Sequence, residues 1–164
     1  MKRLYLIGGP MGVGKTAVGQ RMKRMLDNAV YLDGDWLWDA DPFQVTPETK
    51  GMVTDNICHV LNGFLCCRVY ENVIFTWVMH EQAIIDGLLA RLRIGGTEVR
   101  CVSLICEADA LAARLQRDID AGIRKPDVIP RSLAYLPKYG ALDTVIVDVT
   151  HMSVETAAEY ISRL

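Results

Sequence analysis

The stretch Gly8-Gly9-Pro10-Met11-Gly12-Val13-Gly14-Lys15-Thr16 restricts what this chain can fold into more than any other. From Gly9 onward it satisfies the Walker A pattern GxxxxGK[ST] without a mismatch. The run Leu4-Tyr5-Leu6-Ile7 before it is continuously apolar and stopped by glycine, as expected of a strand buried on both faces. After Lys15 the apolar residues Val18, Met22, Met25 and Leu26 recur at helical spacing. Strand, glycine-rich turn and helix therefore follow one another, which is the context in which this pattern cradles phosphate. The glycines let successive backbone N–H groups turn inward, and the helix N-terminus adds its positive end at the same place. The candidate nucleotide-binding positions are Gly9, Met11, Gly12, Val13, Gly14, Lys15, Thr16 and Ala17. Lys15 is expected to span the β- and γ-phosphates of ATP, and the Thr16 hydroxyl to hold Mg²⁺.

The rest of the chain alternates short apolar runs with amphipathic segments. Strands are expected at Val30–Leu32, Asn72–Val78, Val99–Ile105 and Thr144–Val149. Helices are expected over Pro47–Val69, behind a Thr46 cap, then His80–Arg93, Glu107–Ala121 and a last one capped by Ser153. This alternation gives an α/β fold: a five-stranded parallel sheet with helices on both faces, three layers in one domain spanning residues 1–164. Residues 122–142 hold three prolines and two glycines beside Arg124, Lys125, Arg131 and Lys138. They read as an irregular, mobile flap.

Composition narrows the function classes. A length of 164 residues suits one domain, and 51% apolar with 23% charged residues is ordinary for a globular protein. The net charge of −2 gives no broad basic face for nucleic acid, and the cluster Arg21, Lys23, Arg24 reads as a solvated helix face. Only four apolar residues follow Lys2 and Arg3 before the glycines, so no secretory leader is expected. No run approaches the roughly 18 apolar residues of a membrane span. The cysteines Cys58, Cys66, Cys67, Cys101 and Cys106 show no zinc spacing and read as small buried hydrophobes in a reducing cytoplasm.

Asp33-Gly34-Asp35 closes the second strand, at the edge where open α/β sheets bind ligands. Carboxylates two residues apart share a face if the chain is extended, although Gly34 permits other geometries. One can act through the metal shell while the other takes a proton from an acceptor hydroxyl.

The Walker loop and Asp33-Gly34-Asp35 together resemble the small P-loop kinases: shikimate, gluconate, adenylylsulfate and nucleoside-monophosphate kinases. The resemblance covers the whole chain in layout and implies transfer of the γ-phosphoryl group of ATP, with Mg²⁺, to a small molecule. It implies a metal-shell role for Asp33 and a base role for Asp35. It further implies that Arg114-Leu115-Gln116-Arg117 and Arg124-Lys125-Pro126 lead into and form a lid. Arg117 and Arg124 would then steady the transferring phosphoryl group and Arg114 the nucleotide, with Arg131 a further candidate. The pattern departs in two places. The third strand lacks a terminal aspartate, and Trp77-Val78-Met79-His80-Glu81 stands where shikimate kinases carry a glycine triplet. Shikimate itself is therefore not the expected acceptor.

Trp36, Trp38 and Phe43 follow the carboxylates and either wall an acceptor pocket or staple the loop to the core. With Asp39 and Asp41 nearby, a pocket there favours a polyol or a cationic acceptor over a phosphorylated one. His80 and Glu81 either position the acceptor or only begin a helix, and His59 reads as structural. The sequence leaves three readings: a small-molecule kinase, a nucleoside or nucleotide kinase, and a nucleotide-binding switch that transfers nothing.

Overall fold

The computed structural model describes residues 1–164. β1 (Arg3–Gly8) shows why its sequence is apolar throughout. Leu4 and Leu6 point into one hydrophobic cluster, Tyr5 and Ile7 into the other, and all four are almost fully buried. The same two-residue alternation recurs on β3 (Asn72–Thr76), where Val73 and Phe75 face one side and Ile74 the other. With β2 (Ala29–Asp33), β4 (Glu98–Ile105) and β5 (Val145–Asp148) these strands form one sheet in the order β2-β3-β1-β4-β5, every pairing parallel.

The helices divide between the faces as their apolar stripes require. α1 (Lys15–Met25), α4 (Ala108–Asp120) and α6 (Val154–Ser162) bury Val18, Met22, Leu111, Leu115 and Ile161 on one side. α2 (Pro47–Cys66) and α3 (Gln82–Leu89) bury Val53, Ile57, Leu61, Ile85 and Leu88 on the other. The chain runs from β1 to the outer strand β2, returns to β3 beside β1, then crosses to β4 on the far side. The carboxyl ends of β1 and β3 thus flank a topological switch point, where such sheets leave a crevice for ligands. No helix is long and apolar enough to cross a membrane.

Several boundaries differ from the sequence expectation. α2 stops at Cys66 instead of Val69, because the Lys2 ammonium donates to the carbonyls of Leu65 (2.7 Å) and Cys67 (2.6 Å) and so caps its end. β3 stops at Thr76 instead of Val78, since the chain then turns through Met79, whose φ is +39°. The third helix begins at Gln82, so His80 and Glu81 lie in the turn before it.

The largest correction concerns residues 122–142, expected to be irregular. They contain α5 (Val128–Tyr135) and a 3-10 turn over Leu136–Ala141. Pro130 falls in the first turn of α5, where proline costs little. Tertiary contacts hold the rest: fully buried Ser132 donates to the Met11 carbonyl at 2.6 Å, and fully buried Tyr139 donates to the Val78 carbonyl at 2.7 Å.

Candidate active site

The Walker loop joins β1 to α1 as the sequence implies. Gly12 has φ +83°, and a Cβ there would lie 2.4 Å from Leu115 Cδ2, so the loop needs glycine for both conformation and close packing under α4. Gly14, at φ +111°, caps α1, and no side chain satisfies the first N–H groups of that helix. They remain available to phosphate oxygens. The Lys15 ammonium folds back on the loop and donates to the Pro10 carbonyl at 2.9 Å. The loop is tied to the turn after β3 by Gly9 N–H donating to the Val78 carbonyl.

Asp33 ends β2 with its carboxylate buried. Its Oδ2 accepts from the Thr16 hydroxyl at 2.8 Å and from the Tyr31 hydroxyl at 3.0 Å. Its Oδ1 accepts the Asp35 N–H at 3.1 Å, capping a 3-10 turn over Gly34–Leu37. The sequence reading missed the other half of this network. Tyr31 and fully buried Thr76 share a hydrogen bond of 2.7 Å. Thr76 stands opposite Asp33 in the β2–β3 register, at the end of the strand that lacks an aspartate. Burial, chiefly, pushes the Tyr31 phenol far above its ordinary range and keeps it a donor. The one legible signal was spacing, since Tyr31 and Asp33 are two apart on a strand and share a face.

The 3-10 turn separates the two carboxylates, so they do not share one extended face. Asp35 is on the open side, beside Trp77, whose ring lies so close to Gly34 that a Cβ there would meet Cδ1 at 2.6 Å. Desolvation by the surrounding walls, then the Asp33 charge, raise the Asp35 carboxyl above its usual value. Lys15, Arg124 and the Trp77 indole partly offset this. Burial depresses the Lys15 ammonium to about 8 against the pull of Asp35 and Asp33, and Arg124 lowers it further. Lys15, Asp33, Asp35 and Arg124 thus form one electrostatic group.

The remaining sequence candidates divide. Arg114 reaches the loop, donating to the Val13 carbonyl at 3.1 Å and the Val149 carbonyl at 2.8 Å. It lines a pocket of 270 Å³ with Val13, Val18, Val149, Met152 and Val154, a mainly apolar slot beside the start of α1. Arg124 pairs with Asp118 at 3.0 Å and lines a second cleft of 420 Å³ with Met11, Phe43, Lys125 and Arg131. Arg131 pairs there with Asp127 at 3.1 Å. Arg117 is exposed on α4, and its charge is not among those acting on Lys15 or Asp35. Ala17 is exposed in the first turn of α1, and His59 is exposed on α2, away from these groups.

The aromatic loop is stapled to the core through one ring and open at two. Trp38 is half-buried against the core and packs on Phe43 at 4.9 Å, whereas Trp36 and Phe43 stay mostly exposed. His80 is stacked on Tyr135 at 4.2 Å, with a buried Nδ1 that has no protein partner. Burial, opposed by Glu81, holds its imidazole below the ordinary value, and Lys138 and Lys50 lower it further.

The oxygen set fits a hard cation. Thr16 gives its proton to Asp33, which leaves the hydroxyl lone pairs outward. No cluster of three acidic, His or Cys side chains could hold an ion alone. Such a site suits Mg²⁺ carried largely by nucleotide phosphates and water.

Known proteins share the family and the fold. A family model described as an AAA domain matches residues 6–127. No curated protein sequence matches the chain. Among solved structures, a gluconokinase from Sinorhizobium meliloti 1021 is 20% identical, with TM-score 0.70 over 98% of this chain and 92% of that one. The tunicamycin resistance protein of Deinococcus radiodurans is 20% identical, with TM-score 0.71 over 99% and 95%. A shikimate kinase from Bacteroides thetaiotaomicron is 19% identical, with TM-score 0.60 over 99% and 96%. At such identities the likeness is one of fold. With a Walker loop in its structural context and a family match over most of its length, the chain belongs to the AAA-domain family of P-loop proteins and is built on the α/β fold of the P-loop kinases.

Proposed function

We propose that the protein is an ATP-dependent phosphotransferase that moves the γ-phosphoryl group to a hydroxyl of a small molecule in the cytoplasm. One observation carries the reading: a second carboxylate, Asp35, stands on the open side just past the Asp33 cap, within electrostatic reach of both the Walker lysine and Arg124. A nucleotide switch has no use for a proton acceptor at that place.

The division of labour between the two aspartates follows from their lone pairs. Asp33 spends both oxygens on three donors, so it orients Thr16 and has little left for a substrate proton. Asp35 faces the open side. In the reaction the acceptor O–H gives its proton to the Asp35 carboxylate as its oxygen bonds to the γ-phosphorus. The bond from that phosphorus to the β,γ-bridging oxygen breaks, and ADP leaves. Lys15 and Arg124 neutralise charge on the phosphoryl oxygens. Thr16 and, through it, Asp33 would hold Mg²⁺, which when bound neutralises phosphate charge and aligns the oxygens. The Arg114 slot receives the base of the nucleotide. Residues 121–127 carry Arg124 and Lys125 between α4 and the docked helix α5, with Gly122 at φ +72° at their start. Ile123, 72% exposed, gains a partner if this segment closes over the cleft and excludes water.

An acceptor screen read by ADP release tests the proposal, with sugars, aminoglycoside-like compounds and nucleosides as candidates. Nucleosides belong in it because Trp36 and Phe43 present open rings. The expected result is turnover that rises well above acceptor-free hydrolysis with one class. Slow turnover indifferent to every acceptor is the result expected of a switch.

A further inference from the structure

The wall of the acceptor cleft has a composition that a bare polyol would not need. We infer that the acceptor is amphipathic: a hydroxyl-bearing head presented to Asp35, joined to an aryl or alkyl portion that lies on Trp36, Phe43, Val45 and Met52. The inference rests on the transferase reading and names the substrate class for that same site.

Residues 39–48 are exposed almost without a break, and large apolar side chains are concentrated in and around them. Trp36, Phe43 and Val45 are each 55% exposed and Met52 is 47% exposed. Such a concentration on a small protein marks a surface that something covers. Its position says what. Trp36 directly follows Asp35, and Phe43 shares the 420 Å³ cleft with Met11 of the Walker loop and with Arg124. At Phe43 the surface therefore meets the cleft that holds Arg124.

The rings are also held in place before any ligand arrives. Trp36 meets the Tyr31 ring edge-on at 5.3 Å, and Phe43 packs on the half-buried Trp38. The Thr49 hydroxyl donates to the Gln44 carbonyl at 2.9 Å, fixing the loop to the start of α2. Met52 lies in the second turn of α2, just after this loop, and is exposed beside the fully buried Val53. Aromatic rings alone would suit a sugar face. Val45 and Met52 offer a hydroxyl no partner, and an aryl or alkyl group gains most from them.

The test compares matched acceptors that share their hydroxyls: methyl β-glucoside with octyl β-glucoside below its micellar concentration, and adenosine with N6-benzyladenosine. The expected outcome is a kcat/KM for the apolar member about tenfold or more above its parent, read by ADP release. The double substitution Phe43→Ser/Met52→Gln should cut that advantage to about twofold, and Phe43→Leu/Met52→Leu should restore much of it. A thermal melt guards against misfolding. Binding of 1-anilinonaphthalene-8-sulfonate should weaken at least about fivefold in the Ser/Gln variant. Equal turnover for both members of each pair, or dye binding indifferent to the substitution, overturns the inference and leaves the transferase reading intact. A wild-type chain that elutes as a dimer and binds dye only after dissociation makes a second copy the occupant, which also overturns it. ADP release that rises with no compound of the whole acceptor screen, these pairs included, refutes the transferase reading, and this inference with it.

Discussion

Replacing Asp33 by asparagine separates what the carboxylate does for the fold from what it does for the site. In the native protein Asp33 Oδ2 takes protons from Thr16 and Tyr31, and Oδ1 takes the Asp35 N–H. With its amide nitrogen in the Oδ2 position, asparagine donates to both hydroxyls while its oxygen still accepts from Asp35. Tyr31 then turns its proton to Thr76, which lies 2.7 Å away and accepts equally well. Every buried group remains paired except the Thr76 hydroxyl proton, which loses Tyr31 as its acceptor and adds to the cost of the change. The cost is the exchange of charge-assisted bonds, about 1.5–3 kcal/mol each, for neutral ones of about 0.5–1.5, offset by no longer burying a charge. A net loss of about 1–2 kcal/mol lowers the melting temperature by about 2–8 °C.

The site suffers more than the fold. Once the amide donates to Thr16, the hydroxyl must send its own proton outward, into the position where the cation sits. Outer-shell changes of this kind cost about 10- to 100-fold in metal affinity. The Mg²⁺ concentration giving half-maximal ADP release should therefore rise by about that factor in a protein that still melts cooperatively. A half-saturating Mg²⁺ concentration within twofold of the wild type would refute the orientation argument. So would a melting temperature that collapses, since it would mean the hydroxyls cannot reorganise.

Other outcomes follow from the same geometry. Lys15→Ala should abolish phosphoryl transfer and weaken ATP binding, measured by calorimetry, because no other ammonium reaches the loop. Asp35→Asn should bind ATP nearly as well as the wild type while losing about 10²-fold or more in kcat; full activity with an identified acceptor would remove Asp35 as the base. The pH profile of kcat/KM should be bell-shaped. Asp35 works deprotonated and its pKa is raised, so the acid limb lies above the ordinary carboxylate range. Lys15 works protonated, so activity falls as pH rises through about 8; a profile flat to pH 9.5 contradicts this. In Gly19→Ala the new Cβ would lie 2.4 Å from Tyr31 Cε2 and 2.9 Å from Thr76 Cγ2. The overpacking costs about 1–3 kcal/mol, more than the roughly 1 kcal/mol that alanine adds to a helix, so the melting temperature should fall.

The parts of this structure legible in the sequence are those fixed locally. β1, the Walker loop and α1 are contiguous, and each declares itself by a pattern of a few residues. Strand alternation against two clusters follows from apolar runs and gives the parallel sheet. The fold of residues 128–141 was not legible, because prolines and glycines speak for local breaks while the ordering comes from Ser132 and Tyr139 gripping carbonyls far away in sequence. Which of the two α4 arginines touches the Walker loop was not legible for a related reason: helix rotation decides it, and Arg114 is the one that reaches the Val13 carbonyl.

The missing aspartate at the end of β3 is the most instructive departure. From sequence it was a departure from the pattern of the small P-loop kinases. In the fold the strand register sets Thr76 against Asp33, so the carboxylate that governs the Walker threonine comes from β2 and is steadied across the strand pair by Tyr31 and Thr76. That arrangement has a consequence for the second carboxylate. A buried aspartate whose oxygens are committed to three donors makes a poor proton acceptor, because protonation would turn one of those contacts into a clash of donors. The base must then come from a neighbour with free lone pairs, and the 3-10 turn capped by Asp33 places Asp35 one step further out, towards the cleft. The same bond, Asp35 N–H to Asp33 Oδ1, therefore links the group that orients the Walker threonine to the group proposed to take the proton. A substitution at Asp33 that spares the metal should still be read for its effect on Asp35.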